Sequence, residues 1–469
     1  MNKKKHLLKN TIIIFCGKLC TQLISFFLLP LYTSYLTTSD YGIVDLIQSY
    51  VTLIVPIITM ELEMSIFRFL VDSRGKDKDT KVLMSNNFYI LGITLTLFSI
   101  IYFIVTRFWD FNYQMLIWID IMVCVLSGNF LQVSRGFGNT LDFSISCIIT
   151  GLTTVLSNII LIVLFGFGAD GMIISMAVAN GLCALYLFIK LKLYKYINFK
   201  IVDKSLIKDM YKYSIPIVPN GISWWIVNAS DKTIISWAMN AAANGIYAIS
   251  NKFPTILSSL LGIFNLSWSE SAALHINSED RDEFFSDVIN TVTKLFSCLG
   301  VGMIACMPFI FPILINDSYN DAYNYIPILV LGSVFNVVVC LYSGIYIAKK
   351  MTGKVSSTAI VGAIVNIILN ALFIKFIGLY AAAISTTISY FIMMIYRHFD
   401  VKRYVDIKFE KGLIIKSILI YSLSIYLFYQ ENTYLNILNL VIVIIYSVLL
   451  NKEFLRSCIN TVLGKLKRS

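Results

Sequence analysis

Charged side chains placed inside apolar stretches are the residues with the most chemistry to offer. Lys18, Arg68, Lys232, Lys252 and Lys294 stand in such stretches, as do Asp45, Glu61, Glu63, Asp120, Asp231 and Glu270. If the stretches cross a bilayer, each charge costs roughly 2.5–3.5 kcal/mol to place near the midplane. A chain that keeps so many uses them to pair, to line water or to bind.

Their spacing groups them. Lys18 with Thr21, Gln22 and Ser25 follows i, i+3, i+4, i+7, one face of a helix. Glu61 and Arg68 lie two turns apart on one face. Asn220, Trp224, Asn228 and Asp231 form another stripe, and Lys252, Thr255 and Ser259 a further one. Cations on a cavity wall suit an anionic head group such as a diphosphate. Trp, Asn and Ser beside them suit the apolar ring faces and hydroxyls of a sugar. Intramembrane carboxylates suit a coupling ion. The expected substrate cavity is therefore Lys18, Gln22, Glu61, Arg68, Asn220, Trp224, Asn228, Asp231, Lys232 and Lys252. Glu61 and Asp231 are its ion-coupling candidates. Bland roles compete. Arg68, Glu270 and Lys294 lie near inner helix ends, where long side chains reach for water, and Asp45 is expected to be solvated near the outer boundary. Glu61 and Arg68 form a candidate structural pair. Asp120, Asn158, Asn366 and Asn370 read as hydrogen-bonding residues between helices.

Helices must position these residues. Of the 469 residues, 57% are hydrophobic and 14% charged, against roughly 25% charged in an ordinary soluble domain. Apolar runs of membrane length occur near 11–36, 41–69, 83–106, 114–134, 143–165, 171–189, 213–238, 244–272, 286–315, 325–348, 355–376, 379–396, 413–429 and 434–451. The count is about 14 spans, or about 12 if tightly turned pairs are misdivided. With the N-terminus inside, nearly all Lys and Arg outside the spans fall on one side. The opposite turns hold Arg107 and Lys375. That bias is the positive-inside signature, it requires an even count, and it puts both termini in the cytoplasm. The first run is too long for the apolar core of a cleavable signal peptide.

The net charge of +11 sits in short connections, so the membrane surface, not nucleic acid, is its expected neighbour. The cysteines form no CxxC pair and the three histidines show no metal spacing. No GxxxxGK[ST], GxSxG or HExxH occurs. Neither an ATP motor nor an enzyme is expected, and no cofactor beyond a coupling H⁺ or Na⁺.

A faint repeat organises the chain. Tyr41-Gly42-Ile43 returns as Gly245-Ile246-Tyr247, and Asn158-Ile-Ile-Leu as Asn366-Ile-Ile-Leu, at nearly one offset. Two parallel six-helix halves are implied: a lobe over 1–190, a basic cytoplasmic linker over 191–212, a second lobe over 213–400, then two further helices and a basic tail over 401–469.

Three stretches carry a resemblance. They are Leu29-Pro30-Leu31-Tyr32-Thr33 with Asp40-Tyr41-Gly42-Ile43, then Glu61 to Phe67-Arg68-Phe69, then Pro216 and Pro219-Asn220 through Ser223-Trp224-Trp225, Asn228 and Ser230-Asp231-Lys232. Asn244-Gly245-Ile246-Tyr247 through Asn251-Lys252-Phe253-Pro254 continues the last. The chain resembles the Wzx-type polysaccharide flippases of the multidrug/oligosaccharidyl-lipid/polysaccharide exporter superfamily. It departs at Ser34 and Lys232, where the family usually has Arg. The resemblance implies an all-α, MATE-like membrane fold in the bacterial inner membrane. It also implies a cationic cavity and alternating access. The implied cargo is an undecaprenyl-diphosphate-linked oligosaccharide repeat unit for O-antigen, capsule or related surface polysaccharide. Membrane lipids, a polysaccharide polymerase and a chain-length regulator are the implied partners. The matching positions are Glu61, Arg68, Asp231, Lys232 and Lys252. Rival readings are a drug/cation antiporter or lipid II flippase of the same fold, and a membrane repeat-unit polymerase. A polymerase would be expected to carry a large outer loop, whereas the widest here is about 316–325. A scaffold subunit is a further class, and it would not need charged cavity walls.

Overall fold

Apolar runs of this length can satisfy their backbone in a bilayer only as helices or closed barrels, and here they are helices. The computed structural model describes residues 24, 26–108 and 111–452. In chain order the helices are α1 (Leu29–Tyr35), α2 (Thr38–Thr59), α3 (Leu62–Asp72), α4 (Asp77–Phe108), α5 (Gln114–Phe137), α6 (Thr140–Asn158), α7 (Gly168–Lys190), α8 (Lys204–Ser214), α9 (Val218–Ala238), α10 (Ala241–His275), α11 (Arg281–Leu314), α12 (Ile326–Ala348), α13 (Thr352–Ile377), α14 (Leu379–Val401), α15 (Lys411–Phe428) and α16 (Thr433–Leu450). Ten helical stretches among the described residues are long and apolar enough to cross a membrane. The chain is a multi-pass, all-α membrane protein. The first expected span lies mostly outside the described residues. α9, α10 and the shorter α15 stand where spans were expected but are not among the ten.

Three expected spans are not continuous α-helices among the described residues; one of them, 213–238, passes from α8 to α9 through a 3-10 turn over Ile215–Ile217. The run 41–69 divides at Met60 and Glu61, both in the left-handed region at φ 49° and 55°. Pro56, in the last turn of α2, cannot donate to the preceding turn, and α3 then starts afresh. The run 143–165 turns from α into a π-helix over Ile159–Leu164, directly after Asn158.

By its contacts the chain forms two compact units. The first runs to Ser236 and adds Asn240–Gly245; the second holds Trp237–Met239 and Ile246 onward. The contact boundary thus falls later than the 190/213 division read from the repeat. The first unit's core joins Leu62, Ile66 and Leu70 of α3 to Met84, Ile121, Val133 and Leu187. Leu193 and Met210 complete it, both fully buried. Segment 191–212 is therefore not a free strap. The Ser85 hydroxyl donates to the Tyr196 carbonyl at 2.6 Å, and Asn86 accepts from the Asp203 N–H at 2.9 Å.

The second unit is tied by α14. Arg397, fully buried, donates to the Val339 and Val355 carbonyls at 2.8 and 3.1 Å and to the Thr358 hydroxyl at 2.9 Å. It also bonds the Ser343 hydroxyl. One guanidinium thus joins α12, α13 and α14 where water is excluded. The repeated asparagines serve similarly within their units. Asn158 donates to the Tyr32 hydroxyl at 3.1 Å and Asn366 to the Thr386 hydroxyl at 2.9 Å.

The glycines of the other repeat motif make a backbone clasp inside the first unit. A Cβ on Gly42 would lie 1.9 Å from the Ala241 carbonyl oxygen, and one on Gly245 would lie 1.9 Å from that of Thr38. The contacts are reciprocal, four residues apart on each segment, as in small-xxx-small helix pairs. Asn244 secures the clasp by donating to the Gly42 carbonyl at 2.8 Å. Gly42→Ala is expected to cost about 1–3 kcal/mol by overpacking and to lower the unfolding temperature in detergent. Gly92→Ala, with nothing within 4 Å of the new methyl, should not; equal melting of the two variants would contradict the clasp.

Candidate functional site

The first unit contains a cavity of about 440 Å³ lined by Asp45, Gln48, Ser49, Thr52, Gly221, Trp225, Ala229 and Lys232. Its wall on α2 is Asp45, Gln48, Ser49 and Thr52, the i, i+3, i+4, i+7 set of one helix face. Its wall on α9 is Gly221, Trp225, Ala229 and Lys232, nearly whole turns apart. The volume lies in the range of about 300–1,000 Å³ typical of small-molecule sites.

Hydrogen bonds hold the two helices together around this space. The Trp225 indole N–H donates to the Ser49 carbonyl at 2.6 Å. Its ring lies 5.9 Å from that of Tyr50, whose hydroxyl meets that of Thr233 at 3.1 Å. Trp225 is thereby fixed with one end bonded and its ring on the cavity wall. The Gln48 amide donates to Asp120 at 2.8 Å. Asp120 is fully buried, so the lone acid of its helix is satisfied from α2, as its expected structural role requires.

The decisive electrostatic contact is between Lys232 and Asp45. The ammonium lies 3.1 and 2.9 Å from the two carboxylate oxygens, with the side chains 19% and 12% exposed. Asp45, expected to be solvated, is instead the counter-ion of Lys232. Lys232 lines this cavity with its charge already paired, so it is not a bare cation awaiting a phosphate.

Glu61 is buried. Its Oε1 would lie 3.1 Å from a Cβ placed on Gly221, which brings the carboxylate to the end of the cavity's α9 wall. Its neighbour Glu63 accepts from the Thr59 hydroxyl at 3.1 Å. The break between α2 and α3 thus carries two acids and a hydroxyl. Missing i→i−4 bonds leave backbone polar groups there that only polar partners can serve.

Other expected site residues lie elsewhere. Arg68 does not pair with Glu61: its guanidinium binds Asp72 at 2.7 Å, one turn along an exposed face. Glu61 stands before α3 with its backbone in the left-handed region, so it does not continue the face that carries Arg68; Glu61 is buried and Arg68 exposed. Asp231 is buried on α9. Lys252 belongs to the second unit and is half-buried, and the Thr255 and Ser259 hydroxyls of its stripe bond backward to their own helix. Lys294, expected to reach for the inner surface, pairs with Glu410 at 2.6 Å. Lys18 and Gln22, and the side chains of Asn220, Trp224 and Asn228, lie outside the described residues. Sequence reading missed Gln48, Ser49, Thr52 and Trp225. The same spacing rule applied from Asp45 finds the first three; Trp225 needed the packing of α9 against α2.

A family model described as "Polysaccharide biosynthesis protein" matches residues 7–269, more than half the chain and all of the cavity. The chain belongs to that polysaccharide biosynthesis protein family. The structure of this polysaccharide biosynthesis protein is similar to a lipid II flippase, MurJ, in an inward closed conformation. That likeness has a TM-score of 0.68 at 16% identity, and it covers 96% of this chain and 100% of that one. It is also similar to an inward-facing multidrug resistance MATE family transporter of the MOP superfamily, with a TM-score of 0.68 at 11% identity over 82% of this chain and 95% of that one. The Vibrio cholerae MATE transporter VcmN in its bent form gives 0.55 at 13% identity over 89% and 98%. No curated protein matches the chain in sequence. At such identities the likeness speaks for the fold, which is MATE-like as expected.

Asp45→Asn should leave Lys232 charged and unpaired, costing about 3–5 kcal/mol. The double variant Asp45→Asn/Lys232→Met should recover most of that loss in thermal unfolding. A double variant no better than the single would show that the pair does not bear on stability.

Proposed function

We propose that this protein flips undecaprenyl-diphosphate-linked oligosaccharide repeat units from the cytoplasmic to the outer leaflet of the bacterial inner membrane. The movement is alternating access coupled to H⁺ or Na⁺. The carrying observation is the first unit's cavity, where an anchored indole faces Gln48, Ser49 and Thr52 beside a neutralised ion pair. An aromatic face with amide and hydroxyl groups, and little net charge, matches the glycan more than the diphosphate. Family membership points the same way. Lys252 and Asp231 remain the candidates for the diphosphate and for ion coupling, with Glu61 at the helix break as the second carboxylate. O-antigen, capsule and other surface polymers share this cargo chemistry. Lipid II is the second reading, favoured by the fold likeness to MurJ over 96% of the chain; it too is a lipid-linked saccharide.

Loss of the protein should accumulate lipid-linked repeat units on the cytoplasmic leaflet. Unpolymerised units on the outer leaflet would favour a polymerase instead. In the producing cell, Trp225→Ala and Lys252→Ala should each cut surface polysaccharide at least severalfold with normal membrane insertion. Full polymer display in both variants would overturn the cavity reading. Arrest of peptidoglycan synthesis with normal surface polysaccharide would select lipid II.

A further inference from the structure

The second unit offers a surface that the transport reading does not use. α14 buries one face, including Ala382, Ser389, Met393 and Arg397, against α12 and α13. Its opposite face is hollow. Phe391, Ile392, Ile395, Tyr396, Phe399, Asp400 and Arg403 line a groove of about 430 Å³. Their spacing, i, i+1, i+4, i+5, i+8, i+9, i+12, is a single straight stripe. At 1.5 Å per residue it runs about 18 Å, close to half of a roughly 30 Å hydrocarbon core. One acyl chain of one leaflet has that length.

The stripe ends on charge. The Asp400 carboxylate accepts from the Lys354 ammonium at 2.8 and 2.7 Å and from the Tyr346 hydroxyl at 2.8 Å. It is fully served before Arg403 approaches it at 3.7 Å, with an Arg403 side chain that is 74% exposed. Lys349 and Lys354 lie over the adjacent Tyr404 ring at 5.6 and 5.1 Å. Two cations thus share one carboxylate, with Lys349 over the neighbouring ring, leaving positive charge where the apolar groove opens. A phosphate is the group that a guanidinium beside ammonium groups accommodates, and basic clusters at a helix end attract anionic headgroups.

We propose that this groove is a specific site for an anionic glycerophospholipid of the leaflet beside the basic connections. The phosphate sits on Arg403, and an acyl chain lies along Phe399, Ile395 and Phe391. The site is separate from the cargo cavity and does not depend on the cargo's identity.

The test titrates the full-length detergent-solubilised protein with phosphatidylglycerol or phosphatidylcholine and counts retained lipid by native mass spectrometry. Phosphatidylglycerol should be retained in preference. Arg403→Glu should weaken its retention about tenfold, and Arg403→Lys should keep most of it. Lys375→Glu, at the other end of α13, should change nothing. Equal retention of the two lipids, or an Arg403→Glu variant that remains monodisperse and binds normally, would overturn the proposal. Displacement of phosphatidylglycerol by equimolar undecaprenyl diphosphate would overturn it too, assigning the groove to cargo. Loss of retention with normal polysaccharide export would uphold it while leaving the transport reading untouched.

Discussion

Lys232 and Asp45 meet where both are largely shielded from water. A lone charge on α9 or α2 would cost several kcal/mol in this setting. The pair converts that cost into a fixed register between helices that are far apart in sequence. Trp225, Tyr50 and Thr233 then bond across the same seam, and the cavity is the space their spacing leaves. Part of the chain that sequence symmetry assigned to a second lobe is held in the first unit by these contacts. The pair also decides what the cavity can attract. With its ammonium satisfied, the wall presents an aromatic face and neutral polar groups: the Ser49 and Thr52 hydroxyls donate to their own helix and the Gln48 amide to Asp120.

Backbone strain adds a second constraint. Two successive non-glycine residues in the left-handed region are uncommon, and here they interrupt a run that was expected to be one helix. Such conformations persist only where their surroundings enforce them. Around Met60 and Glu61 the enforcement comes from Pro56 on one side and the packed start of α3 on the other. The result sets a buried carboxylate beside Gly221, at the edge of the cavity. A continuous helix would have carried Glu61 on round its face. The glycine clasp works by the opposite device: the backbones of Thr38–Gly42 and Ala241–Gly245 touch because no side chain intervenes.

The family match speaks for polysaccharide biosynthesis and the solved structures for a MATE-like fold, and the cavity adds chemistry that neither supplies. Multidrug exporters and a lipid II flippase share this architecture, so architecture cannot choose among cargoes. In the proposed reading the choice rests on the side chains of the first unit's cavity, Gln48, Ser49, Thr52 and Trp225.

Hydropathy and charge bias alone determined the class of this protein and the position of nearly every helix. These signals are local or additive, and the bilayer imposes them on any chain of this composition. The sequence also marked Glu61, Asp231, Lys232 and Lys252 as charges that loops could not explain, and its repeat singled out the Gly42 and Gly245 motifs. Only the tertiary structure decided partners. It gave Asp45 to Lys232, Asp72 to Arg68, Gln48 to Asp120 and Glu410 to Lys294, and it chose Trp225 for the cavity wall. It also folded the basic segment 191–212 onto the first unit. Pairing depends on which helices adjoin and how each is rotated, and a single residue's rotation of about 100° separates neighbouring side chains on a helix. Periodicity fixes a face, but the neighbour of that face is set by packing.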